Sequence, residues 1–96
     1  MNRDAILQFL RANKPFLHQE MGVKSIGLFG SYARGTAKPQ SDIDILVDMA
    51  TPDFQNLMLL QAFLEKHFAI PVDLLRLGPH LRTQFLKSIE SELIYA

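Results

Sequence analysis

A chain of 96 residues can bury one core and has no room for a second, substrate-binding domain. Basic and acidic residues balance at ten each, so no overall field holds a polyanion, and nucleic-acid binding by general charge is disfavoured, a local basic patch apart. The absence of cysteine excludes disulfides and thiolate metal sites and fits a reducing compartment.

Hydrophobic residues at 48% and charged residues at 21% are ordinary for a globular protein. The start, Met1-Asn2-Arg3-Asp4, lacks the basic-then-apolar pattern of a signal peptide. No apolar run approaches the ~20 residues of a membrane span. The expectation is a cytoplasmic protein with no membrane contact.

In chain order, residues 3 to 13 read as a helix, with Ile6, Leu7, Phe9 and Leu10 at helical spacing and Asn2 or Asp4 as cap. Pro15 breaks that helix or begins a second short one reaching Glu20. Val23 to Phe29 reads as a buried strand. A polar loop follows, with a short helix starting at Ser31. Ile43 to Asp48 is the second strand. Thr51-Pro52-Asp53 predicts a helix start, with a capping hydroxyl, proline in the first position and an acid at the positive end of the dipole. That helix runs to about His67 and carries more apolar residues than one narrow stripe needs. Ile70 to Leu77 is a third strand, Gly78-Pro79 a turn, His80 to Glu90 a last helix, and Leu93-Ile94-Tyr95 a short edge strand. The order ααβ(α)βαβα predicts an α/β or α+β domain with a small mixed sheet flanked by helices.

The chemistry concentrates between Gly27 and Asp48, in GLFGSYARGTAKPQSDIDILVD. Side chains two apart on a strand share a face, so Asp42 and Asp44 point the same way, with Cα atoms roughly 6.5–7 Å apart. Two carboxylates that close repel, and a divalent cation is the usual compensation. Two such ions serve the attacking and leaving oxygens of a phosphoryl or nucleotidyl transfer. The plain alternative is a solvated acid pair capping a strand. Gly30-Ser31 lies between the first strand and the short helix. Glycine lets the backbone approach a phosphate, a helix start offers free N–H groups, and Ser31 adds a hydroxyl. An ordinary glycine turn with a serine cap is the commoner reading of that pair taken alone.

Several look-alikes fail. Gly30-x4-Gly35 has Thr36 where a P-loop needs lysine, and Gly27-x-x-Gly30 is not a dinucleotide fingerprint. Leu46 and Val47 occupy positions that an EF-hand loop gives to a ligand and a glycine. Asp48 lies about 13 Å along the strand from Asp44, too far to share an ion. Arg34, Lys38, Arg76 and Arg82 are candidate phosphate partners, Arg34 foremost because it sits in the loop. His18, His67 and His80 lack metal-ligand spacing and read as structural or surface residues.

Gly30-Ser31, ten residues, then Asp42-x-Asp44 resembles the signature of the DNA polymerase β-type nucleotidyltransferase superfamily. The flanks Leu28-Phe29-Gly30-Ser31-Tyr32-Ala33-Arg34-Gly35 and Ser41-Asp42-Ile43-Asp44-Ile45-Leu46-Val47 are similar to its minimal nucleotidyltransferases (MNT domain). The resemblance covers nearly the whole chain, implying one domain over residues 1–96 with the polymerase β-like nucleotidyltransferase fold. It also implies a third carboxylate on a later strand, for which Asp73 in Ile70-Pro71-Val72-Asp73-Leu74-Leu75 is the candidate; an edge-strand acid facing water is the alternative. By resemblance, Asp42 and Asp44 bind two Mg²⁺ ions. Asp73 binds the catalytic ion and helps deprotonate the attacking hydroxyl, and Gly30 and Ser31 hold the triphosphate of ATP.

The resemblance further implies an antitoxin that adenylylates a tyrosine of a HEPN-domain toxin and so silences it, within a homo- or hetero-oligomer. Exposed apolar residues on the 52–67 helix would suit such a partner, unless that helix is buried on both sides. Two competitors stand beside this expectation. A small-molecule nucleotidyltransferase needs an acceptor pocket, and a contact-only antitoxin needs neither Asp42 nor Asp44. A template-directed polymerase is disfavoured by the neutral charge and the missing template-binding domains.

Overall fold

The computed structural model describes residues 1–51 and 53–96. Asn2 caps α1 (Arg3–Ala12), its side chain accepting the Ala5 N–H at 2.9 Å. Ile6, Leu7 and Leu10 of that helix are buried. Asn13 joins it to α2 (Lys14–Met21), where Pro15 sits in the first turn and its missing N–H costs nothing. The chain then enters β1 (Val23–Phe29), turns through the one-turn helix α3 (Gly30–Arg34), and returns as β2 (Ile43–Met49). A crossover through α4 (Phe54–Phe68) leads to β3 (Val72–Arg76). Helix α5 (Thr83–Glu90) and the two-residue β4 (Ile94–Tyr95) complete the chain.

The four strands form one mixed sheet in the order β3-β2-β1-β4. The central pair β1 and β2 is antiparallel, β4 adds antiparallel to β1, and β3 adds parallel to β2. The parallel pair is what the long crossover through α4 permits. Both faces of the central strands are covered, and Ile45, Leu46 and Val47 are therefore buried in succession. On one face Ile26, Leu28, Ile43, Ile45 and Val47 pack with buried residues of α1, α2 and α4 in the main core. The other face is thinner. There Phe29, Leu46 and Leu75 meet Ile89 and Phe85 of α5 in a smaller cluster.

Several expected boundaries move, with α3 starting at Gly30 rather than Ser31 and β2 ending at Met49 rather than Asp48. The third strand is Val72–Arg76 rather than 70–77. The last helix begins at Thr83 rather than at 80, because the turn after Gly78 takes up the intervening residues, the Leu81 N–H bonding back to the Gly78 carbonyl at 3.1 Å. Helix α4 is capped by Asp53 and not by Thr51: the Asp53 carboxylate accepts the Asn56 N–H at 2.7 Å. A carboxylate there both fills an orphan donor and meets the positive end of the dipole, so it outcompetes a hydroxyl two residues earlier. The expected proline at position 52 lies outside the described residues. Among the described residues no helix is long and apolar enough to cross a membrane.

Candidate active site

The candidate site lies at one end of the sheet, where β1 ends and β2 and β3 begin. Phe29 pairs with Asp44 across β1 and β2, and Asp44 pairs with Asp73 across β2 and β3. Register thus sets Asp44 and Asp73 on adjacent strands about 4.8 Å apart, on the face that α5 covers further along. Asp42 is the last loop residue before β2, so only Asp44 of the expected strand pair lies within the strand. Asp42 and Asp73 are exposed and Asp44 is half-buried.

Burial and the two neighbouring aspartates, Asp73 and then Asp42, push the Asp44 carboxyl up to about 6; Arg34 opposes the rise and Glu92 adds to it. The cause is desolvation compounded by like charge. Asp44 thus feels the like charges of Asp73 and Asp42, with the Arg34 guanidinium opposing them.

Gly30 makes room for that acid. Its φ of 77° is left-handed, and a Cβ there would overlap the Asp44 carboxylate. Glycine is required twice over, by backbone conformation and by the close approach of the acid. Ser31 follows, half-buried, and its carbonyl accepts the Thr36 N–H at 2.9 Å, which closes the loop behind it. The Gly30 N–H, expected to face a phosphate, donates to Glu92 Oε2 at 2.8 Å. Arg34, expected to pair with phosphate, donates to the same oxygen at 2.7 Å while its side chain stays 51% exposed. Sequence reasoning missed Glu92. The signal was its place just before the edge strand, where antiparallel pairing to β1 carries it toward Gly30.

The start of β3 is also held by residues that sequence reasoning passed over. Glu65 Oε2 accepts the Val72 N–H at 2.7 Å, and Gln61 Nε2 donates to the Val72 carbonyl at 2.9 Å. Helix α4 thus grips the residue next to Asp73 on both its backbone groups. Of the candidate cations, Arg34 bonds into this cluster through Glu92, Lys38 and Arg82 are exposed like it, and Arg76 lies beside Gly78. His18 bonds the Val23 carbonyl at 3.1 Å and His67 stacks on Phe9 at 3.6 Å, so both are structural.

Among the described residues no three histidine or carboxylate side chains are gathered closely enough to hold a metal ion as they stand. The acids also lie outside the adjoining groove of about 470 Å³, which is lined by Arg3, Tyr32, Gly35 and Lys38 among others. Asp42 and Asp73 are open to solvent beside the half-buried Asp44.

Residues 5–96 match the model of the nucleotidyltransferase domain family. A protein adenylyltransferase of Thermococcus cleftensis, MntA, is 38% identical over 93 residues, spanning 96% of this chain and 93% of that protein. A crystal structure of a toxin–antitoxin with AMP-PNP superposes with a TM-score of 0.69 at 31% identity, over 99% of this chain and 72% of that one. A tri-AMPylated Shewanella oneidensis HEPN toxin in complex with its MNT antitoxin superposes with a TM-score of 0.59 at 28% identity, over 98% of this chain and 67% of that one. With the family model spanning nearly its full length and its glycine turn and aspartates set together at one sheet end, the chain belongs to the nucleotidyltransferase domain family.

Proposed function

We propose that this chain is the antitoxin of a toxin–antitoxin pair, a single minimal nucleotidyltransferase domain that transfers AMP from ATP to a tyrosine hydroxyl of a HEPN-domain toxin. The observation that carries the reading is the juxtaposition of Asp44 and Asp73 across β2 and β3, with Gly30 packed against the Asp44 carboxylate. The relatives support the acceptor: one is named a protein adenylyltransferase, and one structure holds an AMPylated HEPN toxin. The open setting of the acids supports it too, since a side chain on another protein can reach an exposed site that offers a small molecule no enclosure. Phe54, Met58 and Leu59 expose an apolar face on α4, at 77%, 50% and 51%, where a partner can dock.

The donor set fits Mg²⁺. Three carboxylates supply hard oxygen ligands, and a divalent cation would offset what raises Asp44, its burial first and then the like charges of Asp73 and Asp42. Asp42, Asp44 and Asp73 would hold the metal, which when bound neutralises charge developing on the transferred phosphorus and the leaving pyrophosphate. Gly30, Ser31 and Arg34 hold and orient the triphosphate. Asp73 takes the proton of the attacking hydroxyl. The new bond joins that oxygen to the α-phosphorus, the bond to the bridging oxygen breaks, and pyrophosphate leaves.

ATP labelled on either phosphate tests the reading. Label on the α-phosphate is expected on the toxin and label on the γ-phosphate in free pyrophosphate, both only with Mg²⁺. γ-Label on the toxin would overturn it. The exposed α4 face favours one second reading, neutralisation by contact alone, in which Asp44→Ala neutralises the toxin as well as wild type does.

A further inference from the structure

Helix α5 ends at Glu90, and after Ser91 comes Glu92, whose own N–H bonds back to the Ile89 carbonyl at 3.0 Å. The β1–β4 ladder then pairs Leu28 with Ile94 and Gly27 with Tyr95. Continued by two residues, that ladder would set Glu92 opposite Gly30, but the main chain of residue 92 is still in the turn. Its side chain supplies the missing acceptor. One oxygen, Oε2, takes the Gly30 N–H at 2.8 Å and the Arg34 guanidinium at 2.7 Å, across 62 and 58 residues of sequence. The Glu92 side chain is only 17% exposed.

A neutral acceptor or a water would satisfy one amide. A largely buried carboxylate needs a charged partner, and here it finds one in the same loop. The two bonds pin α3 at both ends, and what α3 carries is the turn on which the Asp44 carboxylate rests and from which Ser31 projects. We propose that Glu92 is a positioning residue for the nucleotidyl transfer, setting the Gly30–Ser31 turn and the Arg34 guanidinium against the aspartates. The inference rests on the nucleotidyltransferase reading above. In this role Glu92 need touch neither the nucleotide nor the acceptor. It acts through Gly30 and Arg34.

Glu92→Ala and Glu92→Gln are compared with wild type at a temperature where all three are folded by circular dichroism. Two readouts are taken: KM and kcat for ATP in AMP transfer to the HEPN toxin, and Kd for AMP-PNP with Mg²⁺. Loss of a charge-assisted bond that orders the site raises KM and Kd of Glu92→Ala by about tenfold. Glu92→Gln keeps an acceptor for both donors and stays within about threefold. A merely structural role lowers the melting temperature of Glu92→Ala and leaves KM and Kd unchanged at the common temperature; that result overturns the inference. Tighter nucleotide binding by Glu92→Ala also overturns it, because the carboxylate would then be competing with the triphosphate for its own donors. If wild type binds AMP-PNP but transfers no AMP, the proposed function falls while Kd still decides the role of Glu92. If wild type binds no nucleotide, both fall.

Discussion

At Gly30 the backbone, the acid and the anchoring glutamate meet within one residue. Gly30→Ala adds a methyl group to a left-handed residue, costing about 1–2 kcal/mol in backbone strain, and drives the Asp44 carboxylate from its place. Displacement of a reacting group by about 1 Å is enough to lower AMP transfer by about 100-fold. Steady-state transfer assays beside thermal melts check both effects. Asp44 itself makes a second prediction. Its carboxyl is raised from 3.8 to about 6, so the folded chain binds more protons than the unfolded one between those values. Stability is therefore lost as pH rises through that window, and the deficit is complete above about 6. Asp44→Asn removes the deficit and stabilises the metal-free protein at pH 7 by about 1 kcal/mol, a value discounted for the solvent screening of a half-exposed group. Below pH 4 the gain vanishes. Melting curves at the two pH values, with EDTA, check the sign.

The glycine turn and the Asp42–Asp44 pair were legible as candidates in the sequence because they depend on local spacing and strand parity, whereas Asp73 was a candidate only through the family resemblance. Glu92, Glu65 and Gln61 were not. Their roles arise from pairings across 62, 7 and 11 residues that exist only once the sheet is assembled. The start of β2 at Ile43, just after Asp42, was read correctly, and the strand runs one residue further, to Met49.

Among the elements, α4 organises the site from behind. It is closed by Ala69 in the left-handed conformation (φ 55°), where glycine is the usual residue. Ala69→Gly is expected to stabilise the protein by about 0.5–1 kcal/mol, read as a shift in denaturant midpoint without a change in slope. Glu65→Ala does the reverse. It leaves the Val72 N–H without its partner and costs about 1–3 kcal/mol. It also loosens the start of β3, so AMP transfer falls with it. The helix boundaries at α4 and α5 were the least readable part of the fold, since both depend on which of several neighbouring polar groups wins a cap. The β1 and β2 strands, with their apolar runs, were readable nearly to the residue.

For the whole molecule, the radius of gyration is 12.6 Å, close to the ~12.5 Å expected of a compactly folded chain of this length. Three aspartates at an open sheet end and an apolar helix face leave the acceptor to a partner. Met58→Lys with Leu59→Gln changes two exposed positions and shifts stability by no more than about 0.5 kcal/mol. The same pair weakens toxin binding by tenfold or more if α4 forms the centre of the interface, which calorimetry on the complex measures. Intact mass spectrometry of the HEPN toxin, after incubation with ATP, Mg²⁺ and either wild type or the Asp42→Ala, Asp44→Ala double variant, tests the central claim most directly. The toxin gains one or more AMP units with wild type and none with the double variant. An unchanged toxin mass with wild type, while the double variant still neutralises the toxin, would contradict it.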